Sequence, residues 1–256
     1  MPFDAPSQTF MSMKKIETFL SERGFQITRI GNNDPPDTTL DTLALLLSFQ
    51  FATFQHLLRH MRGNMRKNPG FFLLLTDLSR SDVGMIKNLC YLLEKNGLLS
   101  ECHVDKQGQR LRGSVALNDR ALNFLEGRWL ERCVEVNIES FLNLEPHRME
   151  FASNVHVIRP PQSDGVQRRF ELDALLSIDG QLYWWEAKSG QYADEHLTRY
   201  AAVAKELNLS SRRCLLVLAQ PEKGTAFGEL GKQMGFQVIR PQDIPRKIEE
   251  IEDRHR

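Results

Sequence analysis

The strongest constraint on the fold is a two-residue turn between two strand-like segments in the second half of the chain. Asp179-Gly180 separates the segments Arg168–Ile178 and Gln181–Lys188. An Asp-Gly pair favours a tight β-hairpin, because both central residues of that turn adopt positive φ. A two-residue loop pairs the residue before the turn with the residue after it, which fixes the register of the hairpin. The sequence therefore predicts an antiparallel hairpin with defined cross-strand partners.

This register brings acidic side chains together. It places Asp173 opposite Glu186 and Glu171 opposite Lys188, and alternation puts all four on one face. Opposed side chains have Cβ atoms roughly 4.5–5.5 Å apart, so two carboxylates there repel each other. A Mg²⁺ ion between Asp173 and Glu186 would remove the repulsion, and Lys188 would hold a water or a phosphate oxygen beside it. The alternative is a solvated strand face with a Glu171–Lys188 ion pair.

The other face of the hairpin is apolar. Alternation predicts that it lines the protein core with Leu172, Ala174, Leu176, Ile178, Tyr183 and Trp185. The segments around it predict an α-β-β-β-α-β-α-β order, from a long helix at Leu122–Leu142 to a final strand at Phe236–Ile239. This order indicates an α/β fold for residues 121–256.

The first half has a different pattern. Residues 1–39 indicate a leader with a short helix and strand, and residues 40–120 a separate domain. In that domain helical spacing over Leu40–Arg62 and Val83–Lys95 precedes a hairpin, the order of elements in a winged helix. A winged helix used only for packing or dimerisation is the alternative. Basic residues that a DNA-binding winged helix would use are Arg80, Lys87, Lys106, Arg110 and Arg112.

Composition restricts the class of protein. The 256 residues include 33 Lys plus Arg and 33 Asp plus Glu, so the formal net charge is zero. That balance excludes a polybasic, histone-like protein but permits local basic patches. The four cysteines form no C-x-x-C pair, which argues against a zinc ribbon. The N-terminus lacks an apolar signal region, and no apolar stretch is long enough to span a bilayer, so we expect a cytoplasmic protein without membrane contact.

The hairpin resembles the motif of the PD-(D/E)XK nuclease superfamily. Asp173 corresponds to the first metal-binding acid and Glu186-Ala187-Lys188 to the (D/E)-x-K tripeptide. The resemblance implies a restriction-endonuclease-like α-β-β-β-α-β core with a mixed central sheet. It also implies a Mg²⁺ or Mn²⁺ cofactor bound by Asp173, Glu186, the Ala187 carbonyl and Glu131 on the preceding helix. Glu135, one turn after Glu131, is the alternative helix ligand.

A more specific similarity is to the endonuclease domain of CRISPR-associated ancillary nucleases activated by cyclic oligoadenylate. Their G-x-W-L-E helix start corresponds to Gly127–Glu131, their N-E-x-D strand to Phe170–Asp173, and their E-C-K-T-G strand to Glu186–Gly190. Changes at the Asn, Cys and Thr positions leave the metal acids and the lysine in place. Only about 40 residues precede the helical region, too few for the nucleotide-sensing domain of those nucleases, so cyclic-nucleotide control is not expected.

These observations predict a metal-dependent endonuclease that hydrolyses phosphodiester bonds, with DNA favoured over RNA by the winged helix. By resemblance, cleavage leaves a 5′-phosphate and a 3′-hydroxyl, the protein is a homodimer, and its setting is defence against foreign DNA. The alternatives are a non-catalytic winged-helix regulator with a vestigial nuclease fold, a branched-DNA repair nuclease, and a structural dimerisation module.

Further residues are candidates for contact with nucleic acid. Glu171, Trp184, His196 and Tyr200 are possible substrate contacts, Trp184 by stacking on a base. The alternative for the aromatic residues is a plain core or surface role. A phosphate-binding rim, or else scattered surface charge, is expected from Arg168, Arg169, Arg199, Arg212 and Arg213.

Overall fold

The computed structural model describes residues 13–31, 37–63, 65–143, 147–161, 165–190, 194–219 and 227–256. The predicted leader before residue 13 lies outside the described residues. Among the described residues, no helix combines the length and the apolarity that crossing a bilayer requires.

Helices α2–α4 and a small sheet form most of the first half. The elements there are α1 (Lys14–Glu22), β1 (Gln26–Arg29), α2 (Thr38–Phe49), α3 (Phe51–Arg62), β2 (Gly70–Leu74), α4 (Arg80–Lys95), β3 (Leu99–Val104) and β4 (Arg110–Val115). Strands β2, β4 and β3 make a three-stranded antiparallel sheet with β4 in the centre. Alternation in β2 buries Phe71 and Leu73 against the helices and exposes Phe72 and Leu74 on the open face.

A mixed sheet organises the second half. The elements there are α5 (Asp119–Asn123), α6 (Trp129–Leu142), β5 (Met149–Arg159), β6 (Arg168–Ile178), β7 (Gln181–Lys188), α7 (Asp194–Glu206), β8 (Cys214–Leu218), α8 (Phe227–Met234), β9 (Gln237–Ile239) and α9 (Ile244–Asp253). The six-stranded sheet has the order β1-β5-β6-β7-β8-β9. The pairs β1–β5, β5–β6 and β6–β7 are antiparallel, whereas β7–β8 and β8–β9 are parallel.

An apolar layer covers each side of the sheet. One layer contains α2–α6 and α9 together with the core of the small sheet, and the other contains α1, α7 and α8. Strand β1, which the sequence analysis placed with the leader, extends the edge of the large sheet by pairing with β5. The α/β class is thus confirmed, and the domain boundaries at residues 39 and 120 stay a prediction.

The predicted hairpin register is confirmed over most of its length. Pairing runs from Ile178–Gln181 to Ala174–Trp185, and the turn residues Asp179 and Gly180 have φ of 48° and 81°. The ladder ends there, one position before Asp173 and Glu186.

The predicted face of Leu172 is wrong. Leu172 packs with Leu175 and Trp184 on one side of the sheet, whereas Ala174, Leu176 and Ile178 lie on the other side. On the neighbouring strand β5, Asn154 has φ of 47° and interrupts the pairing between Ser153–Ala174 and Val155–Leu172. Alternation is therefore broken at the level of Asp173, as expected where one residue leaves the regular ladder.

Two helix predictions also need correction. The predicted helix Leu122–Leu142 is divided into α5 and α6 by an irregular turn at Phe124–Arg128. The C-terminal helix α9 was not predicted, although it buries Ile244, Ile248 and Ile251 at helical spacing.

Candidate active site

The carboxylate of Asp173 lies where β6 separates from β7. Its Oδ2 accepts a hydrogen bond of 2.8 Å from the backbone N–H of Ala187. The side chain thus takes the place of a backbone acceptor in the interrupted ladder, which satisfies the N–H group. As a result, Asp173 lies beside the Glu186-Ala187-Lys188 backbone, as the hairpin register predicts.

Glu186 is held by neutral donors in a largely buried position. The side chain is only 6 % exposed, and Trp184 Nε1 donates to its Oε2 at 3.1 Å. Burial raises the pKa of Tyr200, from α7, and its hydroxyl lies close enough to Glu186 for the carboxylate charge to raise that pKa further. Burial raises the pKa of Glu186 well above its usual value, and the negative charge of Asp173 raises it further. Two side chains from different elements therefore lie beside one acid of the site.

Asp173 has a similarly perturbed acidity. Burial raises its pKa to about 8, and the nearby charge of Glu131 adds to the effect, while the Ala187 N–H opposes it. Glu131 is itself raised in pKa by burial, against the lowering effect of Arg128. All three carboxyl groups are therefore easier to protonate than free carboxyls, because burial and neighbouring negative charge disfavour their ionised forms.

Arg128 is a cation beside these acids that the sequence analysis did not consider. Its guanidinium donates to Glu131 Oε2 at 2.7 Å and to both oxygens of Glu135 at 2.9 Å. Its position three residues before Glu131 and seven before Glu135 is a helical spacing, which was the available sequence signal. Arg128 thus occupies both candidate helix ligands in this structure.

A close backbone approach places α6 against the end of β7. A Cβ atom at Gly127 would lie 2.9 Å from Ser189 Oγ, closer than side chains tolerate. Arg62 strengthens this junction by donating to the Ser189 carbonyl at 2.8 Å and to the Leu125 carbonyl at 2.7 Å. The absence of a side chain at Gly127 therefore lets the start of α6 approach the end of β7, which brings the acids of the helix near those of the hairpin.

The donor set fits a hard divalent cation in charge and in atom type. Carboxylate oxygens and the Ala187 carbonyl are the ligands that Mg²⁺ and Mn²⁺ favour. Among the described residues, however, no group of three or more His, Cys, Asp and Glu side chains is arranged as a ready metal site. The salt bridge of Glu131 with Arg128 accounts for part of this, because it directs that carboxylate to the guanidinium. Asp173, Glu186 and the Ala187 carbonyl are therefore the primary candidate ligands.

The raised pKa of Asp173 predicts a pH-dependent stability for the metal-free protein. Between its ordinary value of 3.8 and about 8, the folded protein holds a proton that the unfolded chain has lost. The free energy of unfolding should therefore fall as pH rises through this window, by up to about 1.4 kcal/mol per pH unit for one group. Asp173→Asn should flatten the slope, as measured by urea unfolding in EDTA. Glu17→Gln is the control, because Glu17 is an exposed acid on α1 and is not among the groups that shift the pKa of Asp173. An unchanged slope in Asp173→Asn would contradict the prediction.

The other predicted residues occupy varied positions. Lys188 is half-buried, and its amine makes no hydrogen bond or ion pair with the described residues. His196 is half-buried on α7, and Glu171 is exposed, with Oε1 4.0 Å from His156 Nε2. Arg168 is half-buried with Nε 3.5 Å from Glu206 Oε1. The remaining predicted basic residues are exposed, namely Arg80, Lys87, Lys106, Arg110, Arg112, Arg169, Arg199 and Arg212, apart from the half-buried Arg213.

The prediction that Trp184 stacks on a base is wrong. Its ring is 1 % exposed and contacts Tyr200 and Phe236 edge-on, with centroids 6.3 and 5.3 Å away. An indole enclosed in this way has no free face for a base. Tyr200 is also buried, and it contacts Glu186 from inside the protein.

Comparisons with known proteins show the fold. The structure of Can2 from Sulfobacillus thermosulfidooxidans in complex with cyclic tetra-adenylate is 16% identical in sequence, with a TM-score of 0.61. The crystal structure of protein VC1899 from Vibrio cholerae is 17% identical, with a TM-score of 0.59. Each alignment covers 92% of this chain and 60% of the other, so the chain spans about 60% of the length of these structures. No protein-family profile and no curated protein matches the chain.

Proposed function

We propose that this protein is a metal-dependent nuclease of the PD-(D/E)XK type. The observation that carries the proposal is the pairing of the half-buried Asp173 with the buried Glu186 at the end of the hairpin, with Lys188 two residues after Glu186 on β7. A structure shaped for stability alone avoids two neighbouring carboxylates with raised pKa values. Perturbed acids of this kind are common where a site needs charge for its chemistry.

The residues have distinct roles in the proposed reaction. A Mg²⁺ or Mn²⁺ ion held by Asp173, Glu186 and the Ala187 carbonyl would supply Lewis-acid stabilisation of the phosphate and an activated water. The amine of Lys188 orients the attacking water and offsets developing negative charge. Tyr200 and Trp184 position the Glu186 carboxylate. Glu131 would join these ligands on separating from Arg128.

The first half of the chain supports nucleic acid as the substrate. Its helices and its three-stranded antiparallel sheet support a winged-helix interpretation, in which α4 would enter the DNA major groove. Arg80 and Lys87 on α4, and Arg110 and Arg112 on β4, are exposed. We infer that DNA is preferred to RNA on this ground, and that cleavage leaves a 5′-phosphate and a 3′-hydroxyl.

The similarity in fold to Can2 supports the same proposal. It agrees with the sequence resemblance to CRISPR-associated ancillary nucleases at Gly127–Glu131 and at the hairpin. We therefore propose a role in defence against foreign nucleic acid, with a homodimer as the active form. Light scattering of the purified protein tests the dimer, which a monomeric mass of 29.5 kDa would exclude.

Cleavage assays test the proposed activity directly. Supercoiled plasmid, single-stranded DNA and RNA are incubated with the protein in Mg²⁺, in Mn²⁺ and in EDTA. We expect metal-dependent cutting of DNA by the wild type, and none by Asp173→Asn, which keeps the hydrogen bond from Ala187 but removes the charge. Cutting that persists in EDTA or in Asp173→Asn would refute the metal site.

A non-catalytic DNA-binding regulator is the second candidate. It is favoured by one observation, the occupation of Glu131 and Glu135 by Arg128. Calorimetry with Mn²⁺ separates the candidates, since a regulator with a vestigial site would show no binding that depends on Asp173 and Glu186.

A further inference from the structure

A basic pocket lies at the end of the large sheet where strand β7 begins. It has a volume of about 470 Å³, and its lining includes Tyr183, Arg212, Arg213, Arg254 and His255. Strand β8 runs parallel to β7, so the arginines that precede β8 lie at the same end of the sheet as the start of β7. Arg212 and Arg213 were expected from the sequence to form a phosphate-binding rim with Arg168, Arg169 and Arg199, or else to be scattered surface charge. The structure instead places them with residues of the C-terminal segment after α9.

The arginines of this pocket lack carboxylate partners. None of Arg212, Arg213 and Arg254 makes a side-chain hydrogen bond or ion pair with the described residues, and no acid is among the residues that line the pocket. The acids that precede Arg254 along the chain have other partners. Glu252 and Asp253 lie near the guanidinium of Arg256, at 2.8 and 3.9 Å, and the Glu250 carboxylate, one turn before Arg254, accepts a hydrogen bond from Lys247 Nζ at 2.9 Å. Three neighbouring guanidinium groups without a direct ion pair among the described residues repel one another, and a bound anion would relieve that repulsion.

The wall between these arginines is polar and held in place. The hydroxyl of Tyr183 forms a 2.9 Å hydrogen bond with His255 Nε2, and both side chains are at least nine-tenths buried. The other ring nitrogen of His255, Nδ1, lies 3.8 Å from the carboxylate of Asp179. That carboxylate accepts a hydrogen bond of 2.8 Å from Arg148. Arg254 and Arg213 lie close enough to the Tyr183 hydroxyl to act on its acidity. The pocket is therefore a built site rather than a chance gathering of surface charge.

We propose that this pocket binds a phosphate group. The planar guanidinium donates two parallel hydrogen bonds to phosphate oxygens, and arginine is the residue most suited to that geometry. Lys188 lies five residues further along β7 than Tyr183, about 17 Å at 3.3 Å per residue, so the pocket is separate from the carboxylate site. The phosphate belongs either to a free nucleotide or polyphosphate, or to the backbone of a nucleic acid that extends beyond the active site. The proposal does not depend on nuclease activity.

Calorimetry of the full chain in EDTA tests the pocket without any cleavage. The probes are inorganic pyrophosphate and, separately, a short single-stranded oligodeoxynucleotide. The test variant is Arg212→Gln/Arg254→Gln, which changes two exposed side chains and leaves the core intact. Arg246→Gln is the matched control, because Arg246 lies on α9 outside the pocket and is near the carboxylates of Asp243 and Glu250. We expect the test variant to lose at least about tenfold in affinity, because each lost bond to a charged group is worth that factor.

The outcomes identify the source of the phosphate, and they separate a failure of the pocket proposal from a failure of the nuclease proposal. Weakened binding of pyrophosphate would assign a free phosphate ligand, and weakened binding of the oligonucleotide alone would assign a nucleic-acid backbone. Wild-type affinity of the double variant for both probes, or no binding of either by the wild type, would overturn the pocket. Asp173→Asn should bind both probes normally while it abolishes cleavage, so failure of the nuclease proposal leaves this test intact.

Discussion

Lys188→Met is expected to lower the single-turnover rate of DNA cleavage by about 10²–10⁴, the usual contribution of a positioned acid–base group. Methionine keeps the length of the side chain but removes its charge and its hydrogen-bond donors. The amine has no other partner among the described residues, so its loss should disturb little of the surrounding structure. The effect should therefore fall on the chemical step.

Two further measurements separate this role from a structural one. The Mn²⁺ affinity of Lys188→Met, measured by calorimetry, should stay close to that of the wild type, since the proposed ligands are unchanged. Lys205→Met, an exposed lysine on the neighbouring helix α7, should cleave DNA normally. A cleavage rate for Lys188→Met within about threefold of the wild type would remove Lys188 from the proposed mechanism.

Asp41→Ala is expected to destabilise the protein by about 3 kcal/mol, the largest effect we predict away from the active site. Arg132 on α6 is 7 % exposed and donates to Asp41 Oδ1 through Nε at 2.9 Å and Nη2 at 2.6 Å. Among the described residues, the only other hydrogen bond of the Arg132 guanidinium is to the backbone carbonyl of Asp37 at 3.0 Å. Asp41→Ala thus removes the one carboxylate that is hydrogen-bonded to this buried guanidinium among the described residues, and breaking a buried ion pair typically costs about 3–5 kcal/mol.

Thermal unfolding provides the measurement. For a chain of this size, the expected destabilisation corresponds to a fall in Tm of about 6–12 °C. The double variant Asp41→Leu/Arg132→Leu should recover much of the loss, because apolar replacement of both partners removes the uncompensated charge. Arg66→Ala is the control, since Arg66 forms a comparable bidentate salt bridge with Glu126 on the surface and should unfold near the wild-type temperature. Equal Tm values for Asp41→Ala and the wild type would show that Arg132 finds another partner.

Local sequence signals predicted the hairpin well. The Asp179-Gly180 turn was sufficient to predict the pairing from Ile178–Gln181 to Ala174–Trp185, because a two-residue loop permits one register. The same reasoning placed Asp173 beside Glu186 and Ala187, where the structure also has it. The assignment of these residues to a PD-(D/E)XK metal site, and of the first half to a winged helix, stays a prediction.

Contacts between distant elements could not be predicted in this way. The proximity of Tyr200 to Glu186 depends on how α7 packs on the sheet, and helical spacing on α7 gives no information about that. The aromatic neighbours that enclose Trp184 come from α7 and from the segment before β9. The positive φ of Asn154 on β5, which breaks the alternation beside Asp173, has no clear signal in a single sequence.

The sequence by itself determined the α/β class, the hairpin register and the neighbourhood of Asp173, Glu186 and Lys188, since each follows from residues close together along the chain. Only the tertiary structure decided which charges meet. It buried Arg132 against Asp41, and it brought Arg212, Arg213 and Arg254 together around a pocket whose lining includes no acid. The physical reason is that burial and Coulomb energy depend on distances in space, and those distances are set by the packing of helices on both sides of the sheet.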